Sequence, residues 1–536
     1  MSGLRADGPV PPDQAVTISF EGQPITARRG ETLAAALTAA GIRDLRETAD
    51  GERRGIFCGM GVCQECLVNV DGVAAVRACM TTIERPVAVT RQGPLASLRP
   101  SAASTVIIHE TRAPDILVIG AGAAGLQAAI HAARAGARVL IIDERAKPGG
   151  QFYKQPVSPD RRFADAQFAA GAALIAAADH PNVAWLANAE VWGAFPPCDF
   201  RIRAPGLSIR CTPRRAIIAT GACERPWAVP GWTLPGVMTA GAAQTLLRSY
   251  RVLAGRRVLI AGNGPLNFQV AAELARAGAE VVAVAEQSAR PGLAQRRALI
   301  RMLVNSPALT IKGLALLRQL QRRNIPVLYR HRLASVEASG GGLRARLTGA
   351  GDVSFEADAV ILGYGFQPSQ ELMAALQCEP AVGPGQTSAP GISAAGDCTG
   401  LGGAQAAEAQ GIIAGLAAAA SLGFEIDAGL VRMAERQLKC HRAFQKALWT
   451  VFAVDPLSAP SPDTIICRCE GLTQAALSAG REAGYQDINA LKRLTRAGMG
   501  RCQGRYCRAP MQESQASPAG FTVRPPVKPV RIGEIV

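Results

Sequence analysis

The sequence predicts an α/β protein built from two nested Rossmann-like dinucleotide-binding domains, with a small cysteine-rich domain at each end. A glycine-rich turn between an apolar strand and a helix occurs twice, near Gly120 and near Gly262, which indicates the two dinucleotide folds. Eight of the 14 cysteines fall into two tight groups, one near each end of the chain. The other six show no pairing pattern, so metal sites in a chain with reduced thiols fit better than a disulfide framework.

Composition narrows the class of protein further. With 536 residues, of which 48% are hydrophobic, the chain is long enough for three or four packed domains and is neither disordered nor fibrous. No apolar stretch reaches the roughly 18 residues of a membrane span, and residues 411–424 are short and rich in Ala, which favours a buried helix. Because residues 1–14 contain no apolar core for secretion, we expect a cytoplasmic protein.

The formal net charge of +16 raises the question of a nucleic-acid partner. The excess is almost all Arg and is scattered along the chain, without runs of five or more basic residues and without interleaved aromatics. We therefore expect no nucleic-acid binding, while a basic face for an acidic partner protein stays open.

Residues 15–95 are the first predicted domain, with a strand at 16–20 and a helix at 33–40. Four cysteines follow in the spacing C-x4-C-x2-C…C of plant-type ferredoxins, which brings four thiolates to two bridged irons: Cys58, Cys63, Cys66 and Cys79. Zinc is the alternative, but zinc sites usually show two C-x2-C pairs and this stretch has one. The stretch resembles the β-grasp [2Fe–2S] ferredoxin domain found fused to amine dehydrogenases.

Residues 96–113 are predicted as a linker, and residues 114–240 and 355–430 together as a domain that binds FAD. An apolar strand at 116–119 leads into the spacing G-x-G-x-x-G, formed by Gly120, Gly122 and Gly125. The first glycine turns the chain, the second lets a pyrophosphate approach the backbone, and the third lets the helix pack on the strand. The N-terminus of that helix then offers free N–H groups to the phosphates.

An acid about 20 residues after the glycines is expected to hold a ribose hydroxyl. We predict Asp143 for this role, with Glu144 as the alternative if the strand is one residue longer. Further turns resemble those of flavoprotein disulfide-reductase-like folds. That resemblance implies that Gly149, Gly150 and Gln151 let the chain pass the flavin closely, and that the chain crosses between domains at Thr220 and Gly221. It also implies that Gly396 and Asp397 bind the flavin ribityl or pyrophosphate group, and that Gln405 lies at the start of a helix whose N-terminus points at the flavin.

Residues 241–354 are predicted as a second dinucleotide fold inserted in the first. Its turn carries Gly262 and Gly264, and Glu286 is its acid, but Asn267 stands where the third glycine is expected. A fold survives this change more readily than nicotinamide binding does. NAD(P), another adenine nucleotide and a purely structural remnant therefore remain open for this site.

Residues 461–515 are predicted as a small helical domain, followed by an extended tail at 516–536 that suits a partner surface. The domain has the spacing C-x-C-x32-C-x4-C, formed by Cys467, Cys469, Cys502 and Cys507. It resembles the bacterioferritin-associated-ferredoxin-like [2Fe–2S] domain, although that domain commonly closes with C-x2-C. Zinc or a vacant site is the alternative.

Two motifs are absent from the sequence. The second dinucleotide fold has no C-x-x-C pair, so disulfide reduction is not expected. The five histidines are scattered, and no acid–base or nucleophile site can be recognised among them. The catalytic residues stay unassigned.

The domain order resembles that of the A (α) subunit of octopine/nopaline oxidase-type opine dehydrogenases. Hydroxyproline dehydrogenase, hydrogen cyanide synthase and heterotetrameric sarcosine oxidase are similar, and residues 226–244 match a segment typical of this group. The resemblance implies that a flavin-containing β subunit oxidises the C–N bond of an amine or opine, in some relatives with FMN at the subunit junction. This chain would then relay electrons to an acceptor, either a quinone or an electron-transfer protein, which leaves contact with the inner membrane open.

Two other functions are compatible with the motifs. A stand-alone NAD(P)H-dependent reductase could feed electrons to its own ferredoxin domains, although a complete second glycine motif would have favoured it more strongly. A non-enzymatic iron–sulfur scaffold or redox sensor is the third, and the intact flavin motifs argue against it.

Overall fold

The computed structural model describes residues 3–94, 107–158, 164–380, 385–454, 460–513 and 520–535. The first domain consists of β1 (Ala15–Phe20), β2 (Gln23–Arg28), α1 (Leu33–Ala39), β3 (Arg46–Glu47), β4 (Arg53–Arg54), β5 (Leu67–Val70), β6 (Val73–Arg77) and β7 (Ala88–Arg91). Five strands form a mixed sheet in the order β2-β1-β7-β5-β6. Helix α1 is buried along its whole length and is capped by the side chain of Thr32. This is the β-grasp arrangement that the sequence predicts.

The next stretch forms the larger part of the first dinucleotide fold. Its elements are β8 (Ile108–Arg112), β9 (Ile116–Ile119), α2 (Ala123–Arg134), β10 (Val139–Ile142), α3 (Ala166–Ala177), β11 (Val183–Leu186), β12 (Glu190–Phe195), β13 (Asp199–Ala204), β14 (Leu207–Cys211), β15 (Arg215–Ile218) and β16 (Ala222–Glu224). Strands β9, β10, β11 and β15 are parallel, and β9 and β10 are buried on both faces as in α/β proteins. The linker prediction is wrong for residues 108–112, because they pair with β14 as a strand.

The nested domain follows. Its elements are β17 (Val237–Thr239), α4 (Ala240–Tyr250), β18 (Arg257–Gly262), α5 (Pro265–Arg276), β19 (Glu280–Glu286), α6 (Arg296–Asn305), α7 (Pro307–Arg322), β20 (Val327–Tyr329), β21 (His331–Ser339), β22 (Gly342–Gly349), β23 (Val353–Ala357) and β24 (Ala359–Gly363). The parallel sheet has the order β17-β24-β18-β19-β20. We predicted that the first fold resumes at residue 355. The chain instead returns after β24, because this apolar strand pairs with β17 and β18 in the nested sheet.

The returning chain completes the first fold with β25 (Phe366–Pro368), α8 (Glu371–Ala375), β26 (Ile392–Ala394), α9 (Ala404–Ala420) and α10 (Ala428–Val451). Strand β26 adds to β15, giving a parallel sheet in the order β11-β10-β9-β15-β26. Helix α9, predicted as a buried alanine-rich helix, packs on α2 so closely that a Cβ on Gly411 or Gly415 would overlap the backbone of α2. In the described parts of the chain, no helix is both long and apolar enough to cross a membrane.

The C-terminal domain consists of β27 (Ile465–Cys467), β28 (Leu472–Thr473), α11 (Gln474–Glu482), α12 (Ile488–Thr495) and α13 (Arg508–Glu513). The tail beyond it packs on this chain instead of leaving it for a partner surface. The N–H of Val527 donates to the carbonyl of Trp192 at 2.7 Å, and Glu534 pairs with Arg203 at 2.9 Å. Residues 520–535 of the predicted tail are therefore an internal brace between the C-terminal domain and the first dinucleotide fold, and residues 516–519 and 536 lie outside the described residues.

Glu190 joins the first domain to the first dinucleotide fold. Its buried carboxylate pairs with Arg77 of the first domain, and it pairs with Arg203 of β13 at 2.8 Å. Burial raises the pKa of Glu190, but the nearby charges of Lys528, Arg77 and Arg203 outweigh burial and lower it to about 2. We call these ion pairs of Glu190 with Arg77 and Arg203 the clasp, and they hold the ferredoxin-like domain against the first dinucleotide fold.

We expect the clasp to make stability depend on pH. The folded pKa lies below the unfolded value of about 4.3, so the stabilisation is present above that value and is lost as the pH falls through about 2. At about 1.4 kcal/mol per pKa unit, it amounts to roughly 3 kcal/mol. Acid titration of the unfolding midpoint should show this loss in the native chain and a flatter profile in Glu190→Gln. Glu379→Gln, at an exposed carboxyl group, should leave the profile unchanged.

Candidate cofactor sites

The first glycine-rich turn lies at the carboxyl end of β9, where chain segments meet at close range. Gly120 has a φ of +105°, and a Cβ there would lie 2.5 Å from the carbonyl oxygen of Ala219. A Cβ on Gly125 would overlap the carbonyl of Gly120. Gly122 is the N-cap of α2 and supplies no capping side chain, so the first N–H groups of the helix are left for a ligand.

A second turn, formed by Gly149, Gly150 and Gln151, packs directly on the first. The N–H of Gly149 donates to the carbonyl of Ala121 at 2.8 Å, and a Cβ on Gly150 would lie 2.8 Å from the Cα of Gly122. Both glycines have positive φ values, of +113° and +61°. The two turns together form a cradle that added side chains would fill, which fits a dinucleotide pyrophosphate.

Asp143, and not Glu144, faces this cradle. Strand β10 ends at Ile142, and the Asp143 carboxylate accepts the N–H of Ala121 at 2.7 Å and that of Arg145 at 2.8 Å. Burial raises the pKa of Asp143, and these two hydrogen bonds act against the rise. Glu144 instead pairs with Lys528 of the tail. The geometry favours Asp143 for the ribose contact.

The crossing between the two dinucleotide folds lies beside the cradle. Thr220 follows β15, and its Oγ1 donates to the carbonyl of Ser369 at 2.8 Å, which ties the outgoing chain to the returning one. Gly221 has a φ of +68° at the start of β16. These two residues therefore lie where the chain crosses from the first dinucleotide fold to the nested one.

Gly396 and Asp397 follow β26 on the same side of the sheet. A Cβ on Gly396 would lie 2.9 Å from the Cβ of Ala124 in α2. Asp397 Oδ1 accepts the N–H groups of Gly402 and Gly403, at 2.9 and 3.0 Å, and so holds the loop that leads into α9. Gln405 lies in the first turn of that helix. The structure thus brings the ends of α2 and α9 and both glycine turns to one edge of the sheet.

We expect Asp397→Ala to weaken flavin retention. The change removes a charged acceptor of two backbone N–H groups, and hydrogen bonds to charged groups contribute about 1.5–3 kcal/mol each. We expect flavin binding to lose the equivalent of one of these two bonds, so the flavin affinity should fall by roughly tenfold to 100-fold, since 1.4 kcal/mol is a tenfold change. Dialysis followed by chromatography of the flavin released on denaturation measures this. Asp352→Ala, on an exposed turn, should retain flavin like the native chain; equal retention by Asp397→Ala would contradict the assignment.

The nested glycine turn differs from the first in its packing. Gly264 is the N-cap of α5 with a φ of +103°, and buried Glu286 accepts its N–H at 2.9 Å. The side chain of Asn267 is fully buried, and its Nδ2 donates to the carbonyl of Gly363 at 3.0 Å. Asn267 therefore fills the space where a third glycine would let helix and strand approach.

Helix α10 covers this second turn. A Cβ on Gly264 would lie 3.2 Å from the ring of Trp449, and Asn263 Nδ2 donates to the carbonyl of Phe452 at 3.0 Å. No local pattern predicts this contact, because Trp449 lies almost 200 residues away along the chain. A dinucleotide phosphate at this helix N-terminus would have to displace the indole ring.

The N-terminal cysteine group is fully buried. The N–H groups of Met60 and Cys63 point at the sulfur of Cys58, at 3.5 and 3.4 Å, and the N–H of Cys79 points at Cys66 at 3.4 Å. Gly59 and Gly61 take the left-handed conformation that this wrap needs, with φ values of +60° and +76°. Backbone N–H groups directed at thiolate sulfur are the environment expected around an iron–sulfur cluster.

The C-terminal cysteine group accommodates the longer gap through a packed turn. Cys467 pairs with Cys507, and Cys469 pairs with Cys502. Between Cys502 and Cys507, Gly504 has a φ of +83° and lies against Phe521, where a Cβ would overlap the ring. The gap of four residues is two longer than the common C-x2-C spacing. The two additional residues therefore extend this turn and leave both cysteines buried.

The cysteines of both groups meet in pairs. In the pair of Cys58 and Cys63, burial acts to raise both pKa values, but a hydrogen bond from the Cys63 thiol lowers the pKa of Cys58 to about 6. The hydrogen bond between Cys467 and Cys507 likewise lowers the pKa of Cys467 to about 7 and raises that of Cys507. Among the described residues, no three His, Cys, Asp or Glu side chains converge on a single metal position. Paired thiolates suit a [2Fe–2S] cluster, in which four cysteines are shared between two irons.

The two cysteine groups are neighbours in space. The rings of Phe57 and Tyr506, each next to a cysteine of its group, have centroids 5.4 Å apart. Arg468 lies 4.0 Å above the Phe57 ring, and its Nε is 3.5 Å from the Glu65 carboxylate. The segment between Cys63 and Cys66 thus contacts the segment between Cys467 and Cys469.

The N-terminal cysteine group also contacts the segment that follows Asp143 in the first dinucleotide fold. The Arg145 guanidinium, two residues after Asp143, donates to the carbonyl of Gly59 at 3.2 Å. A Cβ on Gly59 would lie 2.9 Å from the Cα of Ala242 in α4. The glycine cradle contacts the first cysteine group, and the first cysteine group contacts the second, so the three candidate cofactor sites form one continuous series.

A buried polar network, which sequence reasoning missed, lies beside this series. Lys154 donates to the Gln151 carbonyl and to Gln244 Oε1, the latter at 3.2 Å, and Gln244 donates to Glu273 at 3.1 Å. Burial and the charges of Arg145 and Arg248 lower the pKa of Lys154 to about 7, and burial raises that of Glu224 to about 7. The network can hold or release a proton near neutral pH. Its members are too far apart in sequence to form a motif.

Three family models match the chain. Residues 13–94 match a 2Fe-2S iron–sulfur cluster binding domain, residues 114–411 match the pyridine nucleotide-disulphide oxidoreductase family, and residues 465–513 match a BFD-like [2Fe-2S] binding domain. The predicted fold class is confirmed. The chain has a flavin-type oxidoreductase domain and two [2Fe–2S] binding domains.

Curated relatives cover most of the chain. The A subunit of opine oxidase from Agrobacterium tumefaciens (strain Ach5) is 37% identical over 468 aligned positions, and the alignment covers 78% of this chain and 91% of the relative. Hydrogen cyanide synthase subunit HcnB of Pseudomonas aeruginosa is 32% identical over 429 aligned positions, and the alignment covers 73% of this chain and 90% of that one. The crystal structure of L-proline dehydrogenase from P. horikoshii covers both chains completely, with a TM-score of 0.72 and 20% identity, and so shares the fold.

Proposed function

Because the chain belongs to the family of the opine oxidase A subunits, we propose that it is the α subunit of a heteromeric dehydrogenase that oxidises an opine or another secondary amine. In this proposal, a flavin-containing β subunit oxidises the C–N bond, and the α subunit relays the electrons to an acceptor. The acceptor is a quinone or an electron-transfer protein. The continuous series from the glycine cradle through both cysteine groups is the observation that carries the proposal.

The residues of the chain have distinct tasks in this proposal. FAD supplies exchange between two-electron and one-electron steps, and the clusters supply one-electron transfer. Gly120, Gly122, Gly149 and Gly150 hold the dinucleotide, and Asp143 orients its ribose. Arg145 ties the cradle to the cluster loop through the Gly59 carbonyl, which fixes the spacing between the two sites. Lys154 and Glu224, both buried, can hold a proton because their pKa values lie at about 7.

Relatives named as subunits support a multi-subunit complex. The amine-oxidising chemistry is assigned to the partner because the titratable groups near the cradle are engaged with one another. Lys154, Glu224 and Glu273 are 4%, 3% and 6% exposed, which leaves them closed to a substrate from solvent. FMN at the subunit junction belongs to the same proposal.

Direct reduction by NAD(P)H is the second candidate, and the nested turn argues against it. Trp449 lies against Gly264 at the N-terminus of α5, where the phosphates of a nicotinamide dinucleotide would lie, and Asn267 stands in place of the glycine that the complete motif requires. A scaffold or sensor without enzymatic activity fits poorly with a flavin oxidoreductase domain of almost 300 residues.

Rapid anaerobic mixing separates the candidates. We expect NADH alone to bleach the flavin of the isolated chain too slowly for catalysis, because its phosphate site is covered. We expect rapid bleaching, followed by cluster reduction, when a secondary amine and the partner subunit are both present. Partner without amine is the control. Fast bleaching by NADH without any partner would falsify the relay and favour the reductase.

A further inference from the structure

The positive charge of the chain is concentrated in one place. Residues 287–330 contain nine Lys and Arg residues and no Asp or Glu, in a chain with 58 basic and 42 acidic residues. The expectation of a scattered excess is therefore wrong for this stretch. Helices α6 and α7 lie within it and carry six of the nine charges: Arg296, Arg297, Arg301, Lys312, Arg318 and Arg322.

The same two helices expose large aliphatic side chains. Of the ten residues of α6, only Ala298 and Met302 are buried, where the helix packs against α10. The exposed aliphatic side chains, at 36% to 83% exposure, are Leu293 in the turn before α6 and, on the two helices, Leu299, Ile300, Leu303, Val304, Ile311 and Leu314. We call these residues and the six basic ones the α6–α7 face. A protein surface rarely shows so many exposed aliphatic groups together unless it binds something.

The composition of the α6–α7 face limits its occupant. A second copy of the chain would bring two strongly basic faces together, which their repulsion opposes. The core of a protein interface is usually depleted of charge and anchored by aromatic residues, whereas here arginines alternate with aliphatics and the face has no aromatic residue. Aliphatic groups flanked by arginines that can extend to a charged layer are the pattern of helices lying at a lipid surface.

We propose that the α6–α7 face docks the protein on an anionic lipid surface. The aliphatic side chains of α6 enter the boundary between headgroups and acyl chains, and the arginines contact lipid phosphates. This inference is independent of the proposed relay function, because it concerns the surface of the nested domain and no cofactor. It would place the enzyme where a lipid-soluble acceptor is found.

Sedimentation with sucrose-loaded vesicles tests the proposal on the full holo-chain. We expect binding to vesicles of phosphatidylcholine with 30% phosphatidylglycerol, and none to phosphatidylcholine alone. Arg297→Gln with Arg301→Gln should weaken partitioning by about 30-fold, since each basic residue near an anionic surface contributes about fivefold. Val304→Asp, at a side chain that is 75% exposed, should weaken it further. Each variant is first checked for native flavin content and iron content.

Matched controls come from other faces of the chain. Arg344→Gln with Arg346→Gln removes two exposed charges from β22, which forms a three-stranded sheet with β21 and β23, and Ile108→Asp adds an acid at a 56% exposed aliphatic on β8. Both should bind like the native chain. Equal binding to both vesicle types, or native binding by the α6–α7 variants, would overturn the proposal. So would loss of the partner subunit from these variants with vesicle binding intact, because the face would then be a protein interface.

Discussion

Replacing Cys469 with serine is expected to lower the iron content of the purified chain from about four atoms to about two, because a [2Fe–2S] cluster holds two irons. Cys469 is paired with Cys502, and both lie in a tightly packed site in which a Cβ on Gly500 would overlap the Cys469 side chain. A serine hydroxyl is a harder and less acidic ligand than a thiol, so the second cluster should not persist. Flavin content should stay unchanged, because the glycine cradle contacts the other cysteine group.

Iron analysis with visible and electron paramagnetic resonance spectra measures this loss, and amine-dependent turnover with the partner should fall to background. Cys66→Ser is the matched change in the N-terminal group and should remove the other two irons. Cys440→Ser, at an exposed cysteine outside both groups, should leave four. Four irons in Cys469→Ser would reject this ligand set. Stoichiometric zinc in the native chain would reject the C-terminal cluster altogether.

The glycine turns and the N-terminal cysteine group could be predicted from sequence because each depends on short-range geometry. Gly120, Gly149 and Gly264 all have the positive φ that their turns require, and the chain spacing of Cys58 to Cys79 is sufficient to indicate a cluster loop. Such constraints act within about 20 residues, so they leave a pattern that can be read locally. The nested arrangement follows from the order of the two glycine turns.

The contacts that connect the sites could not be predicted, because they join residues that are distant in sequence. Arg468 meets Phe57, and Trp449 meets Gly264, through packing of whole domains. The boundary of the nested domain was misplaced for a similar reason. An apolar strand such as β24 can extend either parallel sheet, and only its pairing with β18 decides between them.

The buried charge cluster between the two cysteine groups leads to the second large prediction. Glu65 is fully buried and lies 3.1 Å from Arg46, 3.8 Å from Arg54 and 3.5 Å from Arg468. Arg54 and Arg468 are themselves 1% and 3% exposed. Glu65 is therefore the anion that compensates arginines from the first domain and from the C-terminal domain.

We expect Glu65→Gln to destabilise the holo-protein by about 3–5 kcal/mol, because removing one partner leaves uncompensated buried charges. The loss should appear as a lower denaturant midpoint and as earlier proteolytic release of the C-terminal domain. Glu47→Gln is the control: its carboxylate pairs with Arg53 at 3.7 Å, both side chains are partly exposed, and surface pairs contribute at most about 1 kcal/mol. Adding Arg468→Met to Glu65→Gln should recover part of the stability by removing one of the unpaired charges. If Glu65→Gln unfolds at the same denaturant concentration as Glu47→Gln, the cluster does not hold the two domains together.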